Sequence, residues 1–297
     1  MMIPPSLPDL DELVILVKAV ARDELLPRFT HAESRLKADG SLVTEADFAV
    51  QNRLAKVLLE RYPNVPLLGE EMDSERQKES LAQGGEGLWC LDPVDGTSNF
   101  AAGFPFFCIS LALLVEQEPV LGLVYDPIRD ECFTALRGRG AWLNGARLGL
   151  APKNLPLRRC LGAVDFKRLG PDLAAELAVR PPYSSQRYLG SGALEWCWLA
   201  AGRFHVYLHG HQKLWDYAAG ALILAEAGGV AETWQGEPVV RPASLSGSVI
   251  AASDAALFKE WRDALGGWLA PAPSASGGPG RTEPGVKAKP QKRGEPS

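Results

Sequence analysis

No apolar run in this sequence approaches the roughly 20 residues that a membrane-spanning helix needs. The opening MMIPPSLPDLDELV has neither the basic start nor the apolar core of a secretory signal. Both absences lead us to expect a cytoplasmic protein with no membrane partner. A basic surplus is missing as well: 31 Lys and Arg stand against 36 Asp and Glu, a formal charge of −5, so no positive field awaits a nucleic-acid backbone. No nucleic-acid partner is expected, and a small or metal-bound partner suits the charge better. Cys-x-x-Cys pairs are absent, and Cys90, Cys108, Cys132, Cys160 and Cys197 are odd in number and scattered. That excludes a disulfide framework and reads as buried thiols. No repeat of about 20–50 residues points to a solenoid.

What is present is an ordinary globular composition, 46% apolar and 23% charged, over 297 residues, enough for two compact domains or one large one. Ser6-Leu7-Pro8-Asp9 has capping-box spacing, and Leu10, Leu13, Val14, Val17 and Val20 recur at helical steps, predicting a helix to about Phe29. Thr44-Glu45-Ala46-Asp47 repeats that spacing before a stripe of Val50, Leu54, Val57 and Leu58, predicting a second helix that stops at Pro63. From Val65 the texture changes to short apolar runs with Gly, Pro and acidic turns: VPLLGEE, LWCLD, FFCISLALLVEQEPVLGLVYDP and ECFTALRG. These read as mixed strands and hairpins, with a further turn at Asn144-Gly145. The polar, proline-containing stretch Ala151–Leu157 is a plausible boundary between an α+β half, 1–150, and an α/β half, 151–270. In the second half, strand-like CLGAV, QRYLGS and SVIAAS alternate with helix-like GALEWCWLAAG, LWDYAAGALILAEAGG and DAALFKEWRDALGGWL. Residues 271–297, rich in Pro, Gly, Ser and Lys, have too little apolar surface to offset backbone ordering and are expected to be a disordered tail.

Acids stand at several apolar-to-polar junctions: Glu70-Glu71 after PLLG, Asp92 and Asp95 after LWCL, and Asp216 at the start of a helix. Taken singly, Glu70-Glu71 is a solvated turn and Asp216 a complement to the helix dipole. Asp92 and Asp95 resist so plain a reading, because Pro93 fixes the backbone between them and Gly96 permits a tight turn. Two anions so held suit a hard divalent cation with oxygen ligands, Mg²⁺ in particular, and the Val94 carbonyl could join them. An EF-hand loop starting at Asp92 fails, since positions three, five and twelve are Val94, Gly96 and Gly103. An Asp-x-Asp-x-Thr nucleophile loop is a poor fit too, its second acid being due two residues on rather than three.

Gly69-Glu70-Glu71, LDPVDGTSNF at Leu91–Phe100 and LWDYAAGALILAEAGG at Leu214–Gly229, in that order, resemble the inositol monophosphatase family, and so do KADGSLVTEAD at Lys37–Asp47 and LGSGALEW at Leu189–Trp196. The resemblance covers about Leu10 to Trp268. It implies a layered αβαβα sandwich with the site between the halves, homodimers in many members, and phosphatase activity supported by two or three Mg²⁺ ions. Carried over by position, Glu70, Asp92 and the Val94 carbonyl would hold a first ion, and Asp92, Asp95 and Asp216 a second. Glu70, with Thr97 bonded to Asp47, would orient and deprotonate a water. The N–H groups of Gly96 and Thr97 would receive phosphate oxygens. Outside that setting Thr97 reads as an N-cap, Asp47 as a capping-box acid and Lys37 as a solvated side chain.

The substrate end departs from the family. The inositol-specific members carry an acid seven positions before the final metal Asp, and here that position is His209. Ser191, Gly192 and Ala193 match the small-residue segment lining the family's pocket, so the expected substrate is a small, polyol-like phosphorylated metabolite. Nucleotide 3′,5′-bisphosphates, histidinol phosphate and fructose 1,6-bisphosphate are alternatives. Alternation in FHVYLHGH predicts His205, His209 and His211 on one strand face, near a pocket rim rather than as a zinc site, with Lys213 beside them for a second anionic group. The tryptophans Trp196, Trp198 and Trp215 read as packing residues. A non-catalytic metal-binding interaction protein, docking through its tail, is the alternative of another class.

Overall fold

The computed structural model describes residues 7–31, 34–37, 42–151, 154–240 and 244–269. Ser6 of the first expected capping box and the tail at 271–297 lie outside those residues. Helix α1 (Leu10–Val20) is instead capped by Asp9, whose carboxylate accepts the Asp11 and Glu12 N–H groups. Its course continues as far as His31, but through a π turn at Ala21–Leu25 and a 3-10 stretch at Leu26–His31. Pro27 lacks the N–H that an α ladder would need there. A hairpin of β1 (Ser34–Leu36) and β2 (Leu42–Thr44) leads into α2 (Glu45–Arg61), which opens on the Thr44–Asp47 capping box its spacing predicts.

Strands β3 (Leu67–Gly69), β4 (Leu88–Asp95), β5 (Cys108–Val115), β6 (Glu118–Asp126), β7 (Glu131–Leu136), β8 (Gly140–Leu143) and β9 (Ala146–Arg147) form a seven-stranded sheet in chain order. Only the β3–β4 pair is parallel. Helices α3 (Ser74–Gln83) and α4 (Thr97–Ala101) flank β4 in the chain. The second sheet contains β10 (Leu161–Val164), β11 (Ser185–Arg187), β12 (Val206–Lys213), β13 (Val230–Glu232) and β14 (Ser246–Ala252), in the order β11-β10-β12-β14-β13. Helices α5 (Pro171–Val179), α6 (Gly192–Ala200), α7 (Leu214–Ala227) and α8 (Ala255–Leu265) complete the α-helices among the described residues, with short 3-10 turns at Leu157–Arg159, Phe166–Arg168 and Gly266–Leu269.

The layers follow from the alternation of side chains along the strands. On β4, Trp89 and Leu91 pack toward α1 and α2, while Leu88 and Cys90 pack toward α6 and α7. On the second sheet, Ala163, Tyr207, Val249 and Ala251 face that same helical layer, and Val206, Leu208, Ile250 and Ala252 face α5 and α8. The result is the α-β-α-β-α sandwich, with α6 and α7 between two sheets. A helix in that place must be apolar all round, as GALEWCWLA and LWDYAAGALILAEA are. The acids in them are Glu195 in α6, and in α7 Asp216 at its start and Glu226 near its end. Among the described residues no helix is long and apolar enough to cross a membrane.

Candidate active site

The pairing of β4 with β5 breaks where the acids stand. Asp92 is opposite Ser110 and Asp95 opposite Cys108, so three residue steps on β4 face two on β5. The extra residue is a bulge, with Pro93, which has no N–H to pair, inside it. On a regular strand, residues three apart point to opposite faces; the bulge returns Asp95 to the side of Asp92. Val94 N–H turns back to Asp92 Oδ1 at 3.0 Å, and Gly96, at φ 98°, turns the chain into α4.

Asp216 arrives from the first turn of α7, where its carboxylate accepts the Lys213 N–H at 2.9 Å. Ser110 Oγ donates to the Trp215 carbonyl at 3.0 Å and ties the start of that helix to β5. One oxygen each from Asp92, Asp95 and Asp216 then lie within 4.8 Å of one another. Burial pushes the carboxyl of Asp92 well above its usual range, and the charges of Glu70, Asp95 and Asp216 push it further. Asp216 is raised well above its usual range by burial, Asp95 and Glu70. Asp95 is pushed up to about 6 by burial, although Ser191 and Ala193 donate hydrogen bonds to it. Among the described residues no Lys or Arg forms an ion pair with any of the three. Oxygen donors only, converging and mutually repulsive, are what a hard divalent cation needs, so the residues fit Mg²⁺.

Glu70 adjoins Asp92 closely enough for its charge to act there. Its N–H donates to the Leu91 carbonyl at 3.2 Å, locking the end of β3 beside β4. Lys37, expected to be solvated, instead lies between Glu70 Oε1 at 2.8 Å and Glu71 Oε1 at 2.5 Å. Burial acts against its charge, but the two carboxylates outweigh burial and raise its pKa. Asp47 is fully buried and pushed up to about 6 by burial, against the Thr44 hydroxyl and N–H that bond Oδ2 at 2.6 and 2.8 Å. Its Oδ1 is 3.2 Å from Thr97 Oγ1, which also lies 3.0 Å from the Val94 carbonyl.

Ser191, Ala193 and His209, expected at the substrate, have other partners. Ser191 Oγ and Ala193 N–H donate to Asp95 Oδ2 at 2.6 and 2.7 Å, and both residues are fully buried, so their polar groups support a carboxylate. Gly192, between them, is half-buried. His209 is 7% exposed rather than at a rim. Its Nδ1 accepts the His211 N–H at 3.2 Å, and its Nε2 is 3.3 Å from Asp165 Oδ2. The single histidine face does not form: His205 precedes β12 and accepts the Leu161 N–H, and a bulge between His209 and Gln212 leaves His211 exposed.

Three buried acids, Asp126, Asp165 and Glu195, escaped sequence reasoning. Asp165 ends the apolar run LGAV, the junction that had marked Asp92, and its carboxylate accepts the Lys167 N–H at 2.9 Å. Glu195 interrupts an apolar helix, a signal as plain as that of Asp216.

Known proteins resemble this chain in sequence and fold. The Inositol monophosphatase family profile matches residues 10–266. Inositol monophosphatase 1 of Solanum lycopersicum is 38% identical over 201 residues, 65% of this chain and 72% of its own. Nus factor SuhB of Haemophilus influenzae is 37% identical over 226 residues, 74% of this chain and 81% of its own. The solved structure of a Thermotoga maritima inositol monophosphatase matches with a TM-score of 0.73 at 28% identity, covering 86% of this chain and 97% of that one. With the five-layered sandwich and the carboxylate cluster at its centre, these likenesses place the chain in the inositol monophosphatase family.

Proposed function

We propose that this protein is a Mg²⁺-dependent phosphatase that hydrolyses a small phosphate monoester. The observation that carries the reading is the convergence of Asp92, Asp95 and Asp216, with no Lys or Arg ion-paired to them among the described residues. Asp92, Asp95 and Asp216 would hold one ion, and Asp92, Glu70 and the Val94 carbonyl another. Bound there, the ions supply charge neutralisation of the phosphate oxygens and acidify a water.

The chain's own groups do the rest. Thr97 Oγ1, within reach of Asp47 Oδ1 and the Val94 carbonyl, has its proton directed inward, which leaves an oxygen lone pair to orient a water. Glu70 is the carboxylate placed to take the water's proton, and the N–H groups of Gly96 and Thr97 are the donors offered to the phosphate. No covalent intermediate is required. The test is phosphate release from inositol 1-phosphate, a nucleotide 3′,5′-bisphosphate, histidinol phosphate and fructose 1,6-bisphosphate, with and without Mg²⁺. Release that persists in Asp92→Asn, or without a divalent ion, would sink the reading.

The likeness to Nus factor SuhB favours a second reading, a metal-binding interaction protein that keeps the fold without turnover. No phosphate release from any ester, together with a protein that stays bound through purification, is the outcome that would favour it.

A further inference from the structure

Glu195 stands in the first turn of α6, fully buried in the central layer. Its Oε1 accepts the Leu189 N–H at 2.7 Å, and the Gly190 N–H also bonds the carboxyl. Oε2 is buried with no hydrogen-bond partner. Burial pushes this carboxyl up to about 8, with the charges of Asp95 and Asp165 adding to the effect. A neutral carboxyl in an apolar layer, half satisfied, is destabilising unless it does something a leucine could not.

What it does is grip a loop. The Leu189 carbonyl accepts a hydrogen bond from Asn99 Nδ2 at 2.7 Å, and the same amide donates to the Phe106 carbonyl at 2.7 Å. Gly190 turns at φ +81°, and a Cβ there would come within 3.1 Å of the Asn99 side chain. Glu195 and Asn99 therefore hold Leu189 by its N–H and by its carbonyl. The other end of the loop is the pair that closes on Asp95, Ser191 Oγ at 2.6 Å and Ala193 N–H at 2.7 Å, both on Oδ2.

We propose that Glu195 is a positioning residue for the carboxylate cluster: by holding Leu189 and Gly190 it keeps Ser191 and Ala193 on one oxygen of Asp95, so that the other oxygen is presented to the cation. The proposal rests on the Mg²⁺ reading above. An amide in place of the carboxyl keeps a carbonyl for the Leu189 N–H, whereas an alanine cannot reach it.

The experiment is calorimetric titration of Mg²⁺ onto the metal-free full chain, with a Tm for each protein. Glu195→Ala should weaken Mg²⁺ binding about tenfold, the low end for losing a support behind a metal ligand. Asn99→Ala should move it in the same direction, and Glu195→Gln should restore it. In turnover, kcat at fixed Mg²⁺ should fall while KM for the ester holds. A folded Glu195→Ala that binds Mg²⁺ as tightly as the wild type overturns the proposal, and so does a Glu195→Gln as weak as the alanine variant. Should Glu195→Ala not fold, wild-type Mg²⁺ affinity in Asn99→Ala overturns it. A wild-type protein that binds no Mg²⁺ removes the metal reading, and this proposal with it.

Discussion

The sequence writes nearly the same turn twice, as Asp92-Pro93-Val94-Asp95 at the end of β4 and as Asp126-Pro127-Ile128-Arg129 at the end of β6. Both leading aspartates are buried, and both accept an N–H two residues on, from Val94 at 3.0 Å and from Ile128 at 2.9 Å. They part at the fourth position. Arg129 folds its guanidinium back onto Asp126 Oδ2 at 2.8 Å and adds its own N–H to Oδ1 at 3.1 Å. Asp95 brings a second anion instead, and Asp216 a third. A buried acid kept for structure carries its cation in the same turn; a buried acid left among other acids has its cation to come from outside.

Breaking each turn should therefore have opposite consequences. Asp92→Asn should cut phosphate release by more than the roughly hundredfold that losing even an outer support of a metal ligand can cost. It should at the same time raise the Tm of the metal-free protein, because a repulsive charge is gone. A fall in Tm in the absence of metal would contradict the comparison. Thr97→Ala, which removes the hydroxyl between Asp47 and Val94, should cost about a hundredfold in kcat, the low end for proton-transfer groups, with Mg²⁺ binding preserved. Arg129→Ala should leave the kcat of the folded enzyme intact and lower stability by about 3 kcal/mol, since Asp126 would stay buried without its partner. Urea titration reads that loss, and a change of less than about 0.5 kcal/mol would mean that Arg129 is only an exposed rim charge.

The comparison also has a pH form. Asp47 and Asp95 are each held at about 6 against an ordinary 3.8, so over that interval the folded protein keeps protons that the unfolded chain has released. Their combined contribution to stability therefore falls as pH rises from about 4 to about 6 and stays level above it. Mg²⁺ competes with the Asp95 proton, so the Tm gained on adding Mg²⁺ should grow by several degrees across the same interval. A gain that does not change with pH would show that the cation is not bound by Asp95. The smallest effect is expected at His209. His209→Ala, which strips the ring from beside buried Asp165, should cost about 1–3 kcal/mol of stability, read by urea titration.

Local chemistry made the metal end readable. Thr44 and Asp47 form the capping box their spacing predicts, and the acids after LWCL stand at the end of the strand the apolar run predicts. The same reasoning missed α3, whose ten residues bury none, because a helix without an apolar stripe has no period to detect. It missed α5, whose short PDLAAELAV buries only Leu173 and Leu177. It misread the histidines, because counting alternate residues assumes an unbroken strand and the bulge after His209 shifts the count. It also gave no sign that Ser191 and Ala193 donate to Asp95, an acid from the other half of the chain.

From its residues alone this chain determined which segments turn, which alternate and where acids stop apolar runs, because caps, prolines and side-chain periods act over a few positions. Its motif spacing was enough to indicate a family. Tertiary structure decided the rest. The register of β4 against β5, not the Asp-Pro-Val-Asp spacing, brings Asp92 and Asp95 onto one side. The packing of α7 under the sheet brings Asp216 to them, and the Leu189–Ala193 loop brings Ser191 and Ala193 onto one oxygen of Asp95. Register and packing depend on partners far away in sequence, and no local pattern encodes a distance between strands.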